Sequence, residues 1–143
     1  MHLFHPASHE CIVTLGFGPY PKDLIRRFNM RFHFGIDFAP PSNIATKSFF
    51  VRAAADGNVL HTGFNTQAGN FVILSHVTPQ NLMLSFYFHL EKILTHRGCS
   101  VLQNDIIGLM GSTGYSTGKH LHFGLAKLHL SKLEFINPAP YFT

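Results

Sequence analysis

Across residues 32–38 every second side chain is large and apolar: Phe32, Phe34, Ile36, Phe38. Strand side chains alternate between two faces, whereas a helix needs apolar residues three and four apart. The segment reads as a strand with one apolar face, stopped by Pro40-Pro41. The same period returns at residues 82–90, where Phe86, Phe88 and Leu90 share a face and Tyr87 and His89 share the other, and again in His120-Leu121-His122-Phe123. Residues 11–17, 49–54, 58–64, 71–76 and 106–110 read as further strands. Asp56-Gly57 is the expected hairpin turn between the second and third of these, and Gly69-Asn70 closes the next loop. Only a short helical turn is expected, at residues 24–28. Many short strands, glycine turns and no long amphipathic helix imply a mostly β protein, an antiparallel barrel or sandwich. A chain of 143 residues suits one domain with a sizeable core. Residues 1–10 read as a mobile tail, ahead of a single domain at 11–143.

The faces opposite the apolar rows carry the chemistry. In the first strand that face reads His33, Gly35, Asp37, and the missing side chain of Gly35 lets another group approach closely. His120 and His122 point one way while Leu121 and Phe123 point the other. His89 stands opposite a hydrophobic row. Three segments thus offer metal-type ligands. A catalytic zinc site keeps three protein ligands and an open position for water, and two imidazoles with one carboxylate suit that ion. Water on such a metal ionises near neutral pH, and the remaining histidines are suited to handling protons. His61 and His76 read as hydrogen-bonded strand residues. His76 is placed on the polar side of its strand, with a weak claim to a supporting role behind the site. His96 and His129 are expected in solvent.

Other chemistries fail on spacing. There is no HExxH helix. The run ending in Gly118-Lys119 is not a phosphate-binding loop, because Thr113 stands where its first glycine belongs and His120 where Ser or Thr belongs. The net charge of +4 favours anionic surroundings. Arg26-Arg27 is the one adjacent basic pair, which argues against a nucleic-acid stripe. No apolar run is long enough to span a bilayer. Residues 1–10 lack the basic start and apolar stretch of a secretory leader, so export by another route, or a leader outside this stretch, is expected. Cys11 and Cys99 have no CxxC partner and read either as one disulfide or as two free thiols.

Taken together and in order, three groups of residues form a recognisable set: His33-x-Gly35-x-Asp37, then Tyr87-Phe88-His89-Leu90, then Gly111-Ser112-Thr113-Gly114-x-Ser116-Thr117-Gly118-x-His120-Leu121-His122-Phe123. With Ala54-Ala55-Asp56-Gly57-Asn58-Val59, Gly69-Asn70-x-Val72-Ile73 and Asp105-Ile106-Ile107-Gly108 between them, the chain resembles the LytM/lysostaphin family of zinc metallopeptidases over nearly its whole length. The resemblance implies a mostly antiparallel fold of the duplicated-hybrid-motif type. It implies a zinc (Zn2+) endopeptidase acting on peptide bridges of bacterial peptidoglycan in the cell envelope. It also implies that His33, Asp37 and His122 bind the metal, while His89 and His120 serve as general base and transition-state stabiliser. The alternative is a non-catalytic module on the same fold, binding cell wall or activating another hydrolase. Degenerate members of that kind typically lose ligands, and all five positions are intact here. Three departures bear on substrate preference: an apparent insertion at residues 42–48, residues 77–83 in place of the usual Asn-Gly-Tyr turn, and Gly124 where members usually carry an acid.

Overall fold

In a computed structural model describing residues 1–143, the chain forms a branching antiparallel sheet of ten strands and a separate two-stranded ribbon. In chain order the elements are β1 (Ile12–Leu15), β2 (Gly18–Pro19), helix α1 (Lys22–Phe28), β3 (Phe32–His33), β4 (Ile36–Ala39), β5 (Phe50–Arg52), β6 (Gly57–Asn65), β7 (Gly69–Val77), β8 (Leu82–Ile93), β9 (Ser100–Val101), β10 (Ile106–Met110), β11 (Leu121–His129) and β12 (Lys132–Phe135). The main path runs β1-β4-β11-β8-β7-β6-β9, with β12 added to β11 and the β5–β10 pair joined at β8. Both β1 and β9 have only one partner strand, so the sheet is open and the barrel alternative is not the architecture adopted.

Alternation holds where strands lie over the core. Leu121, Phe123 and Leu125 of β11 are fully buried, as are Val72 and Leu74 of β7 and Tyr87 of β8. Phe38, Val51, Leu90, Ile107 and Met110 complete this layer. The opposite face of the sheet carries a second, smaller cluster of Leu84, Phe86 and Ala126, with Ile73 and Phe88 against it. Much of the phenylalanine content lies there: Phe34 and Phe86 both pack on Phe135, and Phe88 sits beside Phe86.

Several expectations change. The apolar row of residues 32–38 does not form one strand. The chain bends at Phe34-Gly35, so β3 joins β2 in the ribbon while β4 enters the main sheet. Ile36 and Phe38 face the core, but Phe32 and Phe34 stand 38% and 51% exposed. Asp56-Gly57 does not close a hairpin, because β5 pairs with β10 instead of β6. The next hairpin does form, with Asn65 opposite Gly69. A β11–β12 hairpin not foreseen from sequence turns through Leu130 and Ser131, both with positive φ. This is the backbone form that two-residue hairpins prefer, reached here without Asn or Gly to mark it.

Residues 1–10 are not a mobile tail. Leu3 is fully buried and Ala7 nearly so, and the Leu3 and Phe4 amides donate to the carbonyls of Tyr141 and Ala54. This burial outweighs the ordering entropy that a free segment would keep. His76 shares the core face with Val72 and Leu74 and is buried, not polar-facing. Its Nδ1–H donates to the Asp56 carbonyl at 2.7 Å, and its Nε2 accepts from Ser85 at 2.8 Å. Those bonds satisfy both nitrogens, and His76 does not support the site. Cys11 and Cys99 are free thiols.

Candidate metal and catalytic centre

The bend at Gly35 turns β3 and β4 so that His33 and Asp37 converge on one point. Register does the rest: Asp37 lies directly opposite His122 across the β4–β11 pair. His33 Nε2 lies 3.1 Å from Asp37 Oδ1 and 3.0 Å from His122 Nδ1, and His122 Nδ1 lies 2.9 Å from the same oxygen. Gly35 fits against the His122 ring: a β-carbon there would stand 2.7 Å from its Cε1 and Nε2.

This donor set fits a cation. His33 Nδ1–H donates to the Gly16 carbonyl at 2.8 Å, which fixes the tautomer and leaves a lone pair on Nε2. A neutral His33 therefore points a lone pair at a carboxylate oxygen and at a second imidazole nitrogen. Such a meeting is repulsive unless a proton or a metal ion lies between. Two nitrogens and a carboxylate oxygen are the ligand types that zinc and its neighbours in the first transition row accept. Burial opposes ionisation of Asp37, but hydrogen bonds from His122 and His33 outweigh it and hold its carboxyl well below the usual range. Burial also opposes protonation of His33, and the bond to Asp37 reverses that, raising its pKa.

His89 reaches the same place by breaking the strand rule. Simple alternation would put it on the core side with Tyr87. Between Tyr87 and Leu90, β8 carries one residue more than β7 opposite, a β-bulge. His89 takes φ +63° within it, a left-handed conformation uncommon outside glycine and asparagine. The bulge lets Leu90 enter the core and leaves His89 on the side of Phe88, contrary to the face expected from sequence. Strain of this kind persists only where surroundings over-determine it. Here the His89 amide donates to the Ala68 carbonyl, and its Nδ1–H to the Thr113 carbonyl at 2.8 Å.

His120 and His122 do share a face, as the alternation requires. The His120 Nδ1–H donates to the Gly118 carbonyl at 2.8 Å, with Ser116 Oγ 3.2 Å away. The glycine-rich loop thus holds both outer histidines by Nδ1 and leaves each Nε2 free. Their ring centroids are 4.6 Å apart, and His89 is 6.4 Å from His122. Burial drives the pKa of His89 down to about 4, with His120 and His122 adding to the effect, so the ring is neutral at pH 7.

These five residues lie in a groove of about 870 Å³. Its walls include residues not anticipated from sequence. Tyr20 packs edge-on to His33 at 5.6 Å, and Phe28 at the end of α1 meets Tyr115 of the glycine-rich loop at 6.4 Å. Arg27 and Lys119 also line it. No sequence signal marks Tyr20 or Phe28, because α1 and the loop meet only in three dimensions. Phe88 stacks on His122 at 5.4 Å with planes 15° apart.

The sequence pattern of peptidase family M23 matches residues 31–138. The glycyl-glycine endopeptidase ALE-1 of Staphylococcus capitis is 36% identical over 127 residues, covering 88% of this chain and 32% of that protein. The peptidoglycan DD-endopeptidase ShyA of Vibrio cholerae is 42% identical over 93 residues, covering 65% of this chain and 20% of that protein. The catalytic domain of lysostaphin from Staphylococcus simulans superposes with a TM-score of 0.72 at 30% identity, covering 92% of this chain and 91% of that domain. The chain therefore spans only a third or less of the length of these two curated relatives, 32% and 20%.

Proposed function

The chain belongs to peptidase family M23, and from that premise we propose that it is a zinc-dependent endopeptidase that cleaves peptide cross-bridges of bacterial peptidoglycan in the cell envelope. The observation that carries this reading is the convergence of His33 Nε2, Asp37 Oδ1 and His122 Nδ1 within 3.1 Å of one another, beside two histidines with free Nε2 atoms.

In this reading His33, Asp37 and His122 hold the zinc. When bound, zinc supplies a Lewis acid and brings the pKa of water towards neutrality. The protein groups do the remaining work. Neutral His89 offers its Nε2 lone pair to the proton of the attacking water. The same proton then passes to the nitrogen of the leaving amine as the peptide bond breaks. His120, with its Nε2 on the groove side, stabilises the developing oxyanion when it carries a proton there. Two imidazoles this close do not both charge readily, which favours dividing the two roles between them. The carbonyls of Thr113 and Gly118 keep the rings from turning.

The relative named as a peptidoglycan DD-endopeptidase supports the substrate class. The net charge of +4 suits an anionic wall polymer. No helix is long and apolar enough to cross a membrane. The test is metal analysis of the purified protein, together with release of peptides from purified sacculi. About one zinc per chain and metal-dependent release are expected. No metal uptake, or no release by the zinc-loaded protein, would overturn the reading.

A further inference from the structure

The charges lining the groove are unbalanced. Its ionisable side chains include two cations, Arg27 and Lys119, but the single carboxylate is Asp37, already engaged by His33 and His122. Acidic side chains form ion pairs only in His33–Asp37, His122–Asp37 and Lys47–Glu10, so neither Arg27 nor Lys119 has an acidic partner. Asp23, one helical turn before Arg27, makes no ion pair with it.

Each cation lies against an uncharged group, Lys119 half-buried and Arg27 exposed. Lys119 Nζ donates to the Lys47 carbonyl at 2.9 Å, which leaves two of its three donors for other partners. That carbonyl belongs to the 42–48 segment, which places this stretch beside Lys119. The Arg27 guanidinium lies over the Phe28 ring at 5.1 Å. Cations without a counter-charge along a groove favour an anionic ligand group.

The groove is also asymmetric along β11. Lys119 immediately precedes the His120–His122 pair. Beyond it, Gly124 lies beside the Phe34 carbonyl and Ala126 lies opposite Phe135. At about 3.3 Å per residue, the span from Lys119 to Gly124 is roughly 16 Å. One end is basic and the other is built from Phe34 and Phe135. Gly124 contributes to this: a β-carbon there would stand 3.4 Å from Phe86, so an acidic side chain would place its carboxylate among the phenylalanines. Glycine at this position adds no charge to that end.

We propose that Arg27 and Lys119 are carboxylate-binding residues of substrate recognition, so that the groove selects peptides bearing free carboxylates over uncharged ones such as oligoglycine. This rests on the peptidase reading and adds the substrate class to it. The test compares two synthetic cross-linked peptides, identical except that the side-chain and terminal carboxyls are free in one and amidated in the other. kcat/KM is measured for each with the zinc-loaded protein. The free-acid peptide is expected to be favoured about three- to tenfold at low salt, since weakly screened pairs of this kind contribute of that order. The ratio narrows as salt rises. Lys119→Gln and Arg27→Gln each lower the ratio, the double variant brings it near one, and Lys119→Arg keeps it. Equal treatment of the two peptides by the wild-type protein, or an unchanged ratio in the double variant, overturns the proposal while leaving the peptidase reading standing. Should neither peptide be cleaved, the peptidase reading fails, and chemical-shift titration of the same protein reads the same preference as a ratio of Kd values. A ratio of one there also overturns the carboxylate subsite.

Discussion

Gly35 lies against the imidazole of His122: a β-carbon at position 35 would stand 2.7 Å from its Nε2 and 2.6 Å from the carbonyl oxygen of Phe123. The second atom is backbone and cannot yield without moving β11. Gly35→Ala is therefore expected to push His122 away from His33 and Asp37. Metal content and activity should fall together, with a stability loss of about 1–3 kcal/mol from overpacking. Metal analysis and thermal melting of the variant check this. Full metal occupancy with a wild-type melting temperature would contradict it.

The inner and outer histidines should separate on mutation. His33→Ala and Asp37→Ala each remove a proposed metal ligand, so zinc affinity and turnover are lost together. His89→Ala and His120→Ala leave the three-ligand set intact and should lower turnover by ~10²–10⁴-fold at full metal occupancy. Paired measurements of zinc stoichiometry and peptide release decide the matter. Loss of zinc from His89→Ala or His120→Ala would show that the roles are assigned wrongly.

Thr113 acts on His89 through its backbone. Its hydroxyl donates to the Leu90 carbonyl at 2.7 Å and accepts the Asn70 amide at 3.0 Å, pinning the carbonyl that orients His89. Thr113→Val keeps the shape and removes both bonds. A drop in kcat of about 10- to 100-fold is expected from the misplaced ring, with zinc retained, whereas Thr113→Ser should restore most of the rate. Equal rates in the valine and serine variants would refute this role.

Burial pulls the pKa of His76 below its ordinary 6.5. The folded ring then binds fewer protons than the unfolded one near pH 6. Its contribution to stability is present above about pH 6.5 and is lost as pH falls through the depressed folded value. Denaturant titrations of metal-free protein between pH 7.5 and 5.5 should show stability falling with pH. The slope should be shallower in His76→Gln, which cannot take up the proton. The same slope in both proteins would remove His76 as a source of acid sensitivity.

Much of the site was legible because the backbone of a strand has a period of two. That period alone places His120 with His122 and sets both against Leu121 and Phe123. It also sets Asp37 against Ile36 and Phe38, and Gly35 is legible as a place of close approach, but the bend there and not the period brings His33 to Asp37. The antiparallel, mostly β character follows from the same repeat. What the repeat could not convey is where it is broken. The face of His89 depends on a bulge in which one extra residue of β8 sits opposite β7, and that bulge is held by the carbonyls of Ala68 and Thr113, distant in sequence. The pairing of β5 with β10, the burial of Leu3 and the walls supplied by Tyr20, Phe28 and Lys119 are of the same kind. Sequence by itself determined the alternation within unbroken strands such as β11 and the residues with ligand chemistry, since both are local properties of a chain with alternating side chains. Tertiary structure decided which strands pair, which way His89 points and what charge surrounds it, because those depend on contacts between segments that no local pattern encodes.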